Sequence, residues 1–322
     1  MTSSLTEPCP VDAVAGVLAA FARAPLAALG EAHWLAEQAE FVARLIAHPA
    51  FPAVAGDIVV EFGNARYQDL ADAFAGGEPA DGRVLPRVWQ QAGGPGQAFT
   101  SPIYREFFHT VRAINACRPP GQRIRVLLGD PPDWHLRCRS PDTWALRNPR
   151  DAHFAQVTGR HVLARGRRAL LLAGAGHFCR RSDSAAAEGN AVQRLEHAHP
   201  GSTYVIVPHF VFPHVLAARR PQVHALEARL ASWHAPALAP VAGTWLARTD
   251  ALLYFSDTAR VINPDGTTTP TPVPYLGPDG QVLDKIRLGD MVDALLYLGP
   301  HDSLTLIPPP ANTAPTTNEK TR

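Results

Sequence analysis

Leu26-Ala-Ala-Leu-Gly-Glu-Ala-His-Trp34 is the stretch whose reading decides the fold. It reads as a short apolar strand, Leu26 to Leu29, that runs into Gly30 and then presents Glu31 and His33. Residues two apart on an extended backbone point to the same side, so a carboxylate and an imidazole share one side just past a strand end. Open α/β sheets place their ligand crevice at the carboxyl ends of the strands. The same residues also suit a plain βα turn, in which Glu31 and His33 serve the first turn of the next helix. What favours a site is that four more strand-like segments end in a similar way.

Working outward, Asp57-Ile-Val-Val-Glu-Phe62 is a β-branched run typical of a buried parallel strand, and it ends at Glu61 with Gly63 and Asn64 opening a turn. Arg123 to Asp130 is a third strand, followed by Pro131, Pro132, Asp133 and Trp134. Arg168 to Gly174 is a fourth and leads into Gly174-Ala-Gly-His177. Thr203 to Val207 is a fifth and meets Pro208 and His209. Helical patterns fall between them: Val11 to Arg23, Leu35 to Ala47, Tyr67 to Phe74, Ser101 to about Cys117, Asp151 to Arg165, Ala185 to His199 and Pro221 to Trp233. Beyond Pro236 the pattern weakens. Ala251 to Phe255 reads as a late strand, and Asp290 to Leu298 as an apolar run ending at Gly299-Pro300.

Strands alternating with helices predict a three-layer α/β fold, with a mostly parallel central sheet and helices on both faces. The expected organisation is a single domain over 1–306 with helical insertions. A Pro/Thr-rich, polar, disordered tail is expected over 307–322.

Composition narrows the function. The 322 residues are 46% hydrophobic and 18% charged, enough to bury a substantial core. The net charge of +1 creates no field that calls for nucleic acid or an anionic membrane. Cys9, Cys117, Cys138 and Cys179 share no CxxC spacing and no evident disulfide framework. Met1-Thr-Ser-Ser-Leu-Thr-Glu-Pro8 lacks a basic n-region. The Ala-rich run from Val11 to Leu29 is too short to span a bilayer and is interrupted by Arg23 and Pro25. The expectation is a cytoplasmic protein with a small-molecule substrate or ligand.

Gathered at one rim, the strand ends would carry Glu31 and His33, then Glu61, Asp130 with Asp133, His177 and His209. A carboxylate at the end of Ile58-Val-Val60 is costly to bury unless it is paired, hydrogen-bonded or on a metal. Histidine beside carboxylates serves either a general base acting on water or a divalent-metal site. Each residue also has a structural reading. Glu61 could cap the turn at Asn64, His177 could be a capping or core histidine, and Asp130 before Pro-Pro suits a turn. Glu31, His33, Glu61 and His177 are the candidate catalytic residues, and the same four are the ligands if a metal is needed. Trp34, Asn64, Asp130, Asp133, Phe178 and His209 are the candidates to line or support the pocket. There is no GxSxG elbow, no P-loop lysine motif and no HExxH.

Gly30-Glu-Ala-His33 after a strand, Ile58-Val-Val-Glu61 and the later Gly-x-Gly-His177 together resemble the erythromycin-esterase superfamily. That grouping includes the ChaN-like haem-uptake proteins and, more distantly, the Tiki metalloproteases. Asp290-Met-Val-Asp-Ala-Leu-Leu-Tyr-Leu298 resembles the closing strand of such chains. The resemblance implies a parallel sheet with an active cleft at its strand ends. It would make His33 the general base for water, with Glu31 and Glu61 orienting or polarising and His177 matching the later histidine. In the Tiki branch similar positions bind a divalent metal, and the haem-uptake branch binds haem, with His33 or His177 as the implied axial ligand here. The esterase pattern is Glu-Ala-Thr-His, one residue longer than Glu31-Ala-His33, and the shorter spacing followed by Trp34 is nearer the ChaN-like form. The leading expectation is a hydrolase acting on an ester, lactone or amide, metal-assisted or not. The alternative is a haem- or metal-binding protein without turnover.

Overall fold

A computed structural model describes residues 5–93, 99–134, 148–181, 188–255, 258–262, 268–272, 275–276, 281–283 and 285–310. In chain order the elements that frame the site begin with β1 (Val11–Asp12), α1 (Ala13–Ala20), β2 (Leu26–Glu31) and α2 (Ala36–Ala47). Next come α3 (Phe51–Val54), β3 (Gly56–Asn64), α4 (Gln68–Gly76), α5 (Arg87–Gln90) and α6 (Pro102–Ala116). β4 (Arg125–Asp130), α7 (Asn148–His161), β5 (Arg168–Gly174), α8 (Ala191–Ala198), β6 (Thr203–Pro208) and α9 (Pro213–Leu230) continue the alternation. β7 (Ala237–Pro240), a small hairpin of β8 (Thr258–Ile262) and β9 (Thr268–Pro272), α10 (Leu288–Met291) and β10 (Ala294–Tyr297) follow.

Eight strands form one sheet in the order β1-β7-β10-β6-β2-β5-β3-β4. Every pairing from β10 to β4 is parallel, while β7 runs antiparallel to both β10 and β1. The expected fold class is the observed one. β2 shows why: Leu26 and Ala28 bury on one face, Ala27 and Leu29 on the other. Alternation with both faces apolar requires cover on both sides. α1, α2, α4, α5 and α6 supply one layer, and α7, α8, α9 and α10 the other. Each fully buried Leu, Ile or Val side chain contributes about 1.5–3 kcal/mol, so the doubly covered strands carry much of the stability.

Two expectations need correction. Ala251 to Phe255 is not a strand; Ala251–Leu253 is a 3-10 turn started by Asp250, whose carboxylate accepts from Leu252 N–H at 3.0 Å. The helix expected from Pro221 begins earlier, at Pro213, and kinks at Arg219 where the backbone leaves helical geometry just before Pro221. Ile307, where the tail is expected to begin, hydrogen-bonds to the fold. Ile307 N–H donates to Trp34 O at 2.8 Å and Ile307 O accepts from Ser101 Oγ at 2.6 Å. Residues 311–322 of the expected tail, and Cys138, lie outside the described residues. Among the described residues no helix is long and apolar enough to cross a membrane.

Candidate active site

The site is built where β2, β5 and β3 end side by side. Glu31 is registered opposite Gly174, and β3 pairs with β5 up to Val60↔Leu172, so Glu61 emerges at the same rim. The backbone then turns out of β2 through Trp34, which holds a left-handed φ of 73°. Such a conformation costs a non-glycine residue about 1–3 kcal/mol and persists only where its surroundings enforce it. Here the Ile307 N–H on the Trp34 carbonyl does so, together with Gln38, which accepts from Ala32 N–H at 2.9 Å and donates to Gly30 O at 2.7 Å. The turn thereby fixes His33 over the end of β5.

Glu61 is the hub. Its Oε2 accepts from Gly174 N–H at 2.7 Å, and its Oε1 lies 3.1 Å from His177 Nε2 and 2.9 Å from Arg150 Nη2. Burial raises the pKa of Glu61, but His177 and Arg150 outweigh it and hold the carboxyl well below its ordinary range. The helix-cap reading of Glu61 does not hold, because Asn64 itself caps the turn by accepting from Arg66 N–H at 2.9 Å.

His177, in the turn Ala175–His177 after β5, has its other nitrogen 2.8 Å from Asp151 Oδ1. Burial opposes its charge, yet Asp151 and Glu61 together push its pKa up to about 10. That shift favours the imidazolium form at neutral pH. Asp151 in turn accepts from Ala191 N–H at the start of α8 at 2.8 Å. Arg150 reaches from the first turn of α7 to Asp130 Oδ1 at 2.6 Å, and Asp130 Oδ2 accepts from Gly93 N–H at 2.9 Å.

His33 lies on the opposite flank. Its Nδ1 is 3.4 Å from Glu31 Oε1, at ion-pair distance but without hydrogen-bond geometry. Tyr104 of α6 donates to that same Glu31 oxygen at 2.6 Å. The His33 Nε2 sits over Gly174, 2.9 Å from where a Cβ would be, so only glycine leaves room for it. Phe99 packs edge-on against the imidazole at 5.7 Å. Burial lowers the His33 pKa, but Glu31 and then Glu61 outweigh it and the net shift is upward. About a third of the His33 side chain remains exposed against about a fifth of His177, so both rings reach the surface of the cleft.

Glu31, His33, Glu61, His177 and Asp130 are therefore brought together. Four of the other expected lining residues, all but Trp34, are held by other partners. Phe178 is a core residue, 1% exposed, packed on Phe154. Asp133 forms a half-exposed pair with Arg66 at 2.6 Å. His209 is fully buried in a different network, between Tyr254 Oη and Glu227 Oε1, each at 2.8 Å. Asn64 is buried and spends its amide on Gln91 O. Arg150, Asp151 and Tyr104 went unnoticed because they sit in first turns of helices, where such residues are ordinary.

Two of the four expected metal ligands, Glu61 and His177, are already engaged by protein groups. Both His177 nitrogens already face carboxylates, and Glu61 is divided among an amide, an imidazole and a guanidinium. Among the described residues no group of three or more His, Cys, Asp or Glu side chains is spaced to hold a metal ion.

No family model matches this chain, and no curated protein matches it. Solved structures do. A Bacillus cereus protein superposes with a TM-score of 0.53 at 12% identity, over 91% of this chain and 94% of the other. A succinoglycan biosynthesis protein gives a TM-score of 0.52 at 10% identity, over 91% and 94%. An erythromycin esterase variant in its open conformation aligns with a TM-score of 0.47 at 12% identity, over 86% and 91%. The first two show that the fold is shared and nothing finer.

Proposed function

We propose that this chain is a hydrolase of the erythromycin-esterase superfamily that uses His33 to activate water against an ester, lactone or amide. The observation that supports it is the pair of partly exposed histidines on either side of Glu61, one raised modestly and one held as a cation.

With Nδ1 turned to Glu31, the basic atom of His33 is Nε2, the one lying over Gly174 beside Glu61. Water gives its proton to Nε2 as its oxygen bonds to the substrate carbonyl carbon. The imidazolium of His177 supplies positive charge near the oxyanion that develops, in a site where Asp151 and Arg150 fix the geometry beforehand. When the C–O or C–N bond breaks, the His33 imidazolium returns its proton to the leaving group. Glu31, steadied by Tyr104, orients the ring and stabilises its charged form.

The test is acid release by the purified full chain from a panel of esters, lactones and amides, run beside His33→Ala. Turnover in the wild type that falls by at least a hundredfold in the variant supports the reading; equal rates overturn it.

A further inference from the structure

Next to Glu31, α2 and α6 leave a space between their facing side chains. Ala36, Ala39 and Ala43 of α2 and Ile103, Phe107 and Thr110 of α6 line a cavity of about 300 Å³. The alanines recur every three or four residues, one face of the helix, and their short side chains leave the space. Phe62 and Leu172 contribute from the sheet, and the lining is almost wholly apolar. Two of its few polar members are Glu31 and Tyr104, the pair that orients His33. Its size is about the lower end of the range for small-molecule sites.

Glu31 is incompletely satisfied there. Oε1 takes the Tyr104 hydroxyl, whereas Oε2 is buried and receives no hydrogen bond among the described residues. A neutral polar group at this end of the cavity meets no charge repulsion from the carboxylate. A carboxylate-headed ligand would instead meet like charge from Glu31.

We propose that this cavity is the chain-binding subsite: it takes an unbranched alkyl or acyl chain of the substrate, with the neutral polar end of the chain towards Glu31. This rests on the hydrolase reading for its role in turnover, but the binding it requires does not. The substrate class is an ester, lactone or amide with an unbranched alkyl chain on the acyl side.

The experiment is calorimetric titration of the full chain with 1-alkanols from butanol to octanol and with the matching alkanoates. Each added methylene should tighten alkanol binding about fourfold until the cavity is full, and alkanoates of equal length should bind at least tenfold more weakly. Ala43→Leu and, independently, Ala39→Leu should abolish the dependence on chain length, with circular dichroism confirming that each variant is folded. Affinity that is flat with chain length in the wild type, or a dependence that survives both substitutions, overturns the proposal. Chain-length-dependent binding without hydrolysis of any ester, lactone or amide keeps the cavity assignment and overturns the hydrolase reading. His33-dependent hydrolysis with flat alkanol binding does the reverse.

Discussion

His177 and Asp151 meet at 2.8 Å, although the first follows β5 and the second lies in the opening turn of α7. Because Glu61 occupies the other imidazole nitrogen at 3.1 Å, the ring is clamped between two carboxylates, which favour its charged form. The clamp is a structural device and an electrostatic one at once.

Its pH dependence has a definite sign. The folded pKa of His177 is raised to about 10 from 6.5, so its stabilisation is complete below pH 6.5 and is lost as pH rises towards 10. Glu61 is depressed from 4.5, so its stabilisation is present above pH 4.5 and is lost on acidification. These two contributions coexist in full between pH 4.5 and 6.5. Urea midpoints measured across pH should fall on the alkaline side in the wild type. His177→Gln should lose about 2 kcal/mol near neutrality and flatten that alkaline limb. An unchanged alkaline limb in the variant would place the titration elsewhere.

The acid limb of turnover should report His33, whose pKa is raised above 6.5 mainly against burial by Glu31. A base must be neutral to act, so the rate should climb with pH through a midpoint above 6.5. Glu31→Gln should move that midpoint downward. A pH–rate profile of both proteins reads this directly.

Gly174→Ala separates geometry from folding. The new Cβ would stand 2.9 Å from His33 Nε2 and 3.6 Å from Glu61 Oε2. The imidazole must therefore move, and a displacement of about 1 Å can cost roughly a hundredfold in rate. The expected result is a drop of about that size in kcat with a protein that remains folded by circular dichroism.

Arg150→Met should behave differently. It removes a buried cation shared by Glu61 and Asp130 and leaves two buried carboxylates unneutralised by it. Loss of one partner from such a cluster costs about 3–5 kcal/mol, so the melting temperature should fall sharply.

Asp133→Ala supplies the contrast. Its pair with Arg66 is half-exposed, and exposed pairs are worth about 0–1 kcal/mol. Turnover and melting temperature should both stay close to the wild type, and a lost activity would return Asp133 to the site.

Much of this was legible from residue order alone. Strands two residues or so from their observed bounds, the parallel sheet and four residues at its rim follow from apolar runs that stop abruptly at Glu31, Glu61 and Gly174. Two-sided apolar alternation is a local property, so it survives in one dimension. β7 escaped notice because Ala237-Leu-Ala-Pro240 is short and poor in β-branched residues; its place is set by antiparallel pairing with β10.

The sequence by itself determined the class of fold and which side chains leave the strands at their carboxyl ends. Only the tertiary structure decided that His177 lies between Asp151 and Glu61 and His33 beside Glu31, that Arg150, Asp151 and Tyr104 belong with them, and that His209 and Phe178 do not. The physical reason is that protonation states and partners are set by charges a few ångströms away. Those charges come from positions far apart in the chain, such as Glu61 and Gly174, 113 residues from one another.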